Sequence, residues 1–304
     1  MKIPEGIYRL EDPGMAAQLF SGRREVMIDA CLQGLMGGVY GTAGGMDSAA
    51  AVLGDFCFLA GKPEERLIDW DYGRQYLLLA PPDAAWRELI KKVMGDRARE
   101  HTRYATKKEE DCFDHGRLRA LAETLPAGIT LSRIHGELYG KCIKEEWSRD
   151  LVSCFPSREA YEALGLGVAA LRGNELLAGA SSYARSRDAI EIEIDTREDM
   201  RNRGLASACG AALILECLER GLYPSWDAHT EISAALAEKL GYHEATPMWS
   251  MRRKRTKGLC SGKADAIEAD IKERIYGKRK KKAGSGDHRP AEKGIPGGGL
   301  YPGL

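Results

Sequence analysis

Apolar and polar positions along this 304-residue chain divide it into two patterned stretches and a tail. The second stretch is the more regular. Residues 129–134 predict a strand, 137–150 a helix, and 157–164 a shorter helix with Ser157 as its N-cap. The runs 167–172 and 175–183 flank Gly173-Asn174, a pair suited to a tight turn, and predict a hairpin. A strand over 189–196 follows, then a long apolar helix from about Gly204 to Arg220 that stops at Gly221. Residues 223–228 predict a strand, 232–240 a helix, and 242–252 the final strands. The order β-α-α-β-β-β-α-β-α-β describes an α/β protein of the α+β kind, a mixed sheet flanked by helices. A doubly wound nucleotide fold would alternate strictly.

The first 128 residues are less sharply punctuated. Residues 25–36 predict a helix; 38–41, 49–60 and 75–80 predict strands; 83–94 predict a helix with Asp83 as cap, and 101–107 another strand. The order β-β-β-α-β repeats part of the second stretch. Its strand-to-helix turn over 79–85 carries Pro81-Pro82 and no glycine, so it lacks two amide donors. This half is either a degenerate copy of the second or an unrelated α/β lid. The expected divisions are 1–128, 129–252 and a tail, 253–304. The tail combines the basic run 278–282 with a Gly/Pro-rich end, a composition that buries no core.

Charge changes the picture little: 45 basic and 45 acidic residues balance, which excludes a global field for nucleic acid and leaves only a weak contact through the basic tail. No apolar run is long enough to span a bilayer, and the N-terminal residues have no apolar signal core, so the expectation is a cytoplasmic protein with no membrane partner. The 8 cysteines form no Cys-x-x-Cys pair and no ligand spacing with histidine, so neither a metal site nor a disulfide framework is expected.

The candidate chemistry lies between the strand 189–196 and the helix after it. Arg201-Asn202-Arg203-Gly204-Leu205-Ala206 opens that helix. A helix N-terminus presents unpaired amides and the positive end of the dipole, which suits a pyrophosphate. Gly204 and Ala206 permit close approach, and Arg201 and Arg203 add positive charge. Asp199 and Glu198 stand nearby and must point away. On the preceding strand Glu191, Glu193 and Asp195 share one face, and Ile190, Ile192 and Ile194 the other.

The Arg-x-x-Gly-x-Ala loop, with a strand before it and a strand-helix-strand after it, resembles the GNAT superfamily of acetyl-CoA-dependent N-acetyltransferases. The runs 181–183, 191–196, 203–206, 223–228 and 236–242, with Phe56 and Thr102-Arg103-Tyr104, resemble the branch that includes zwittermicin A resistance acetyltransferases. The resemblance implies a GNAT acyltransferase fold over 129–252, and a bulged fourth strand that splays from the fifth. It implies that acetyl-CoA lies with its pantetheine along Ile194, Asp195 and Thr196. Its pyrophosphate would lie on the amides of Arg201, Asn202, Arg203, Gly204, Leu205, Ala206 and Ser207. Thr230 stands where the family often has an asparagine for the pantetheine, and Ser233 shares that task; both also suit helix capping.

Acetyl transfer needs a neutral amine, so a base must take its proton. Glu193 is the first candidate as base or amine anchor and Glu191 the second. The tyrosine that family members use as general acid is missing, because its position is Ala237. Tyr183, Ser182, Tyr242 or water would replace it. The expected activity is transfer from acetyl-CoA to a primary amine of a small molecule, an aminopolyol antibiotic by the branch resemblance. The alternative is a non-catalytic acyl-CoA-binding regulatory module.

Overall fold

Strand β1 (Ile7–Arg9) leads through a 3-10 segment (Pro13–Phe20) into helix α1 (Val26–Leu32). The structure is a computed structural model and describes residues 3–42, 46–74, 76–243 and 246–253. Strands β2 (Gly38–Thr42), β3 (Ser48–Leu53) and β4 (Phe56–Gly61) form an antiparallel meander. The single strand expected over 49–60 is thus a hairpin. Gly54, with φ +55°, makes the turn, and every residue of β3 is buried, so the apolar run hides the break. Helix α2 (Glu65–Asp69) carries the chain to β5 (Leu78–Ala80), which lies parallel to β4. Helix α3 (Ala84–Met94), capped by Asp83 through the Trp86 amide, and β6 (Ala98–Ala105) complete this half.

Helix α4 (His115–Glu123) was not expected; it packs Leu118 against the second core. Strand β7 (Thr130–Arg133), α5 (Glu137–Lys144) and α6 (Arg158–Leu164) follow, with Ser157 capping α6 as its position predicts. The helix expected over 137–150 ends early, at Lys144, and a 3-10 turn at Arg149–Leu151 supplies the rest. Then come β8 (Gly167–Arg172), β9 (Glu175–Arg185), β10 (Ala189–Thr196), α7 (Leu205–Glu219), β11 (Tyr223–Ser225), β12 (Asp227–Ala228), α8 (Glu231–Leu240) and β13 (Thr246–Arg253). The strand expected over 223–228 is two strands, and they belong to different sheets.

Among the described residues one sheet has the order β1-β2-β3-β4-β5-β13-β6-β12 and the other β11-β10-β9-β8-β7. The first five strands of each half match in order and sense: three antiparallel pairings, then a parallel one, β4 with β5 and β10 with β11. The two halves therefore share one strand plan. They also interlock, because β13 enters the first sheet between β5 and β6, and β12 joins its edge beside β6. The strand at 246–253, expected within the 129–252 sheet, is in the first sheet, and the described residues pack as one unit. The basic run 278–282 and Cys260 lie outside the described residues.

The repeat relocates the first half's equivalent of the anion loop. The crossover between the parallel strands is α2, not α3 as the proline-containing turn had suggested. This helix is five residues long, and the Glu64 carboxylate accepts the Arg66 amide at its N-terminus. A carboxylate from the chain itself occupies the end where an anion would sit.

A methyl group at Gly54 would lie 2.1 Å from Tyr183 Oη, whereas one at Gly128, also at positive φ, meets nothing within 4 Å. Both Gly54→Ala and Gly128→Ala bear the left-handed backbone cost of about 1–2 kcal/mol. Only the first also displaces Tyr183 and its hydrogen bond from the Asp55 amide. Thermal unfolding should show Gly54→Ala losing at least about twice the Tm that Gly128→Ala loses.

Candidate active site

The alternation of β10 gives it one apolar face and one acidic face, of which Glu191 is buried and Glu193 and Asp195 are half-buried. Ile190 and Ile192 pack into the core beneath α7. The acidic face is covered by the first half. Glu191 and Glu193 line a cavity of about 320 Å³ together with Asp55, Phe56 and Tyr76 from the first half, Asp150, Tyr183 and Trp226. Arg103 of β6 also lines it; its guanidinium stacks 4.8 Å over the Phe56 ring, and Nη2 donates to the Asp227 carbonyl at 2.7 Å.

The strand splay that forms the site's open edge is visible in the pairing. Strands β10 and β11 pair only over 189–191 and 223–225, and the chain then crosses at Trp226 into the first sheet. Residues 192–196 of β10 thus lack a β11 neighbour. The register irregularity lies opposite Glu191 and Ile192, where β9 skips Tyr183. The extra residue is on β9, not on the strand expected to carry it, which preserves the alternation of β10 and turns Tyr183 toward the cavity.

The two candidate carboxylates differ in surroundings. Glu191 is buried and fully engaged: Oε2 accepts from Ser225 Oγ at 2.7 Å and Oε1 from the Asp227 amide at 2.7 Å. Glu193 has no hydrogen-bond partner among the described residues. Burial, then the charges of Asp195 and Asp150, push its pKa well up, and Arg103 opposes the shift. Burial and Asp150 raise Asp195 to about 7, against Arg201, and raise Asp55 to about 6, against Arg74. A buried carboxyl that titrates near neutrality can accept a proton from an amine at physiological pH.

Beyond β10 the loop has an anion cradle's features. The Arg197 guanidinium binds both Asp199 oxygens, at 2.6 and 3.0 Å, and thereby neutralises the acid nearest the helix start. Asn202 and Gly204 both have positive φ, +62° and +84°. Nothing lies within 4 Å of the Cβ position at Gly204, no side chain caps α7, and its first helical bond runs from the Ala208 amide to the Gly204 carbonyl. The Arg201 amide, expected among the pyrophosphate donors, is instead turned to the Glu198 carbonyl at 3.4 Å, while the amides of residues 205–207 have no backbone acceptor among the described residues at the positive end of a 15-residue helix. Arg201, Asn202 and Arg203 are exposed beside it. Thr196 Oγ1 is buried without a partner at the end of the splayed strand. These residues suit a nucleotide pyrophosphate followed by an extended polar arm.

The family profile for GNAT acetyltransferases matches residues 17–248, across both halves. The chain belongs to the GNAT acetyltransferase family. A crystal structure of a GCN5-related N-acetyltransferase-like protein from Streptococcus suis 89/1591 is 45% identical, with TM-score 0.75, covering 80% of this chain and 99% of that one. An uncharacterised N-acetyltransferase of Bacillus subtilis strain 168, YdfB, is 29% identical over 197 residues, 62% of this chain and 69% of its own. A tandem GNAT protein from the clavulanic acid biosynthesis pathway shares the fold, with TM-score 0.51 at 12% identity over 84% of this chain and 99% of that one. Family membership makes this chain an acyltransferase by class and acetyl-CoA its implied co-substrate.

Within this GNAT protein several expected residues hold other positions. Thr230 Oγ1 caps α8 by accepting the Ser233 amide at 3.2 Å, and Ser233 lines the cavity. Ala237 is fully buried in the second core and offers no acid. Of the replacements, Ser182 Oγ accepts the Leu166 amide between strands, and Tyr242 Oη donates to the Pro224 carbonyl in the core. Tyr183 alone of the three lines the cavity, with its oxygen accepting the Asp55 amide at 3.0 Å and its pKa driven up by burial. Lys239 was missed: its Nζ donates to Ser207 Oγ at 2.9 Å, bringing a cation to the first turn of α7. No spacing rule joins 239 to 207, since the contact depends on how α8 packs on α7. Arg103 and Asp55 were missed likewise, because they come from the other half.

A carboxyl whose native pKa is raised supports the fold below its unfolded value, about 4, and that support is lost as pH rises through the native value. For Asp195 the loss is complete above about 7. Asp195→Asn should therefore melt about 3 °C above the unsubstituted protein at pH 8. The difference should vanish near pH 4, as scanning calorimetry at both pH values would reveal.

Proposed function

We propose that this protein transfers acetyl from acetyl-CoA to a primary amine of a small cationic molecule by direct attack in a ternary complex. The observation that carries the reading is that β10 presents to a cavity a half-buried carboxyl, Glu193, with no hydrogen-bond partner among the described residues, and is followed by an uncapped, glycine-opened helix start. Acceptor and donor can then meet along one strand. Acetyl-CoA, when bound, supplies the thioester; Gly204 through Ser207 would hold its pyrophosphate on backbone amides, with Arg201, Arg203 and Lys239 adding charge. Ile194, Asp195 and Thr196 would face the pantetheine along the splayed edge, and Thr230 and Ser233 stand across it.

Glu193 takes the amine's proton in this reading, and Glu191, held by two donors, serves as a fixed anion near it. Tyr183, kept protonated by burial, is the candidate that protonates the leaving thiolate. The carboxylates of Asp55, Asp150 and Glu193 favour a cationic acceptor, and an aminopolyol is the class that the branch resemblance implies. Reduced, mostly buried cysteines fit a cytoplasmic enzyme, and among the described residues no helix is long and apolar enough to cross a membrane.

Incubation with acetyl-CoA and a panel of primary amines should release free thiol in step with acetylated amine. Tight acetyl-CoA binding without turnover on any amine would instead make the chain a binding module. Glu193→Gln should lower kcat/KM for the amine about 100-fold and flatten the acid limb of its pH profile. An unaltered limb removes Glu193 from the base role. Gly204→Val should weaken acetyl-CoA about tenfold or more by calorimetry, because it both fills the open face and penalises the left-handed backbone.

A further inference from the structure

Lys108 belongs to no motif in the sequence, yet it sits behind the cavity wall. Its side chain is 16% exposed, Nζ donates to Ser225 Oγ at 2.6 Å, and Asp227 Oδ1 lies 3.3 Å away. Ser225 and Lys108 also line a second cavity of about 670 Å³, while Glu191 and Asp227 line the first. The bonds between them have a fixed direction. Because the Ser225 oxygen receives an N–H from Lys108, its own hydrogen goes to Glu191 Oε2. The Asp227 amide holds the other Glu191 oxygen.

The surrounding charges give this arrangement its consequence. Arg23 and Glu25 face the cluster from the segment before α1, Tyr223 from β11, Asp227 from β12 and Glu191 from β10. Burial alone would lower the Lys108 pKa, and Glu191, Asp227 and Glu25 together raise it, so the side chain is a permanent cation among three carboxyls. Burial and Asp227 push Glu191 upward, and Lys108 opposes them.

We propose that Lys108 is a positioning residue for the transfer reaction: through Ser225 it fixes Glu191 as an ionised carboxylate in the cavity, against which the cationic acceptor binds. This rests on the acetyltransferase reading of the same cavity. Without Lys108 the Ser225 hydroxyl is released to rotate, and Glu191 has lost the nearby cation that opposes its upward shift. Glu191 then takes up a proton at a higher pH, so acceptor binding weakens first on the acid side.

The experiment uses the full chain with Lys108→Met, Lys108→Arg and Ser225→Ala, assayed with acetyl-CoA and the best amine of the panel across about pH 5.5 to 9. In Lys108→Met the KM for the amine should rise about tenfold at neutral pH. The acid limb of kcat/KM should move up by about one unit, and KM for acetyl-CoA should stay within about twofold. Lys108→Arg should restore most of the acid limb, and Ser225→Ala should shift it partway. Should Lys108→Met fail to fold, the other two variants decide. An unmoved acid limb, or equal rises in both KM values with a lowered Tm, overturns the proposal. A 13C carboxyl titration of Glu191, identified by Glu191→Gln, provides a readout that needs no turnover. If no amine is acetylated, the function reading fails by itself. An unchanged Glu191 midpoint in Lys108→Met then overturns this proposal separately.

Discussion

The Glu191 carboxylate is the joint on which both sheets and the site depend. It takes the Ser225 hydroxyl, the last residue of β11, with one oxygen and the Asp227 amide, the first of β12, with the other. Between those donors the chain leaves one sheet and enters the other. Held there, β11 stops pairing with β10 after Glu191, and the remainder of β10 is left with an open edge. The same crossing brings β12 and β13 into the first sheet and puts Arg103, Phe56 and Asp55 over the acidic face. One buried carboxylate thus couples the opening of a slot to the closing of a cavity. A charged hydrogen bond in low dielectric is strong when satisfied and costly when broken, so the joint is either made fully or the halves part.

The acids along β10 set stability against reactivity. Several carboxyls share one region, and burial first, then their mutual repulsion, drives their pKa values up. A core built for stability would not carry Glu193 unpartnered beside Asp195. A carboxyl raised in this way by burial fits the base role proposed for it. Glu191 meets the same burial with two donors and a nearby lysine, and its cost is correspondingly offset. Two glutamates separated by one residue on one strand are therefore assigned different work by their partners alone.

Much of the second half was legible because its signals are local. Ser157, Gly173-Asn174, Gly221 and the 190–195 alternation each fix a cap, a turn or a face within a few residues. The start of the long helix after Gly204 was legible for the same reason. What failed was non-local. The break at Gly54 is hidden in a run of buried residues, and the split at Trp226 depends on a partner strand 120 residues earlier, at Thr106, whose hydroxyl donates to the Trp226 carbonyl. The cover of the acidic face comes from the other half and has no local signal. Arg103, Asp55, Lys108 and Lys239 carry no spacing that points to the residues they contact.

The repeated strand plan explains why there is one cradle and not two. Both halves have the parallel strand pair whose crossover helix can start at an anion. In the second half that helix is long, uncapped and entered through an open Gly204. In the first it is a single turn, entered through Pro63, with Glu64 already bound to its amide end. A pyrophosphate would meet a carboxylate there and could gain little from so short a dipole. Released from holding a nucleotide, the first half is free to offer its β3–β4 turn and β6 as cavity wall. Because β13 is threaded through its sheet, that wall is held in register with β10 and not merely docked against it. Under the proposed reading, acceptor recognition is therefore shared with the half whose helix start is already capped, while the half with the open helix start supplies the proposed base, Glu193.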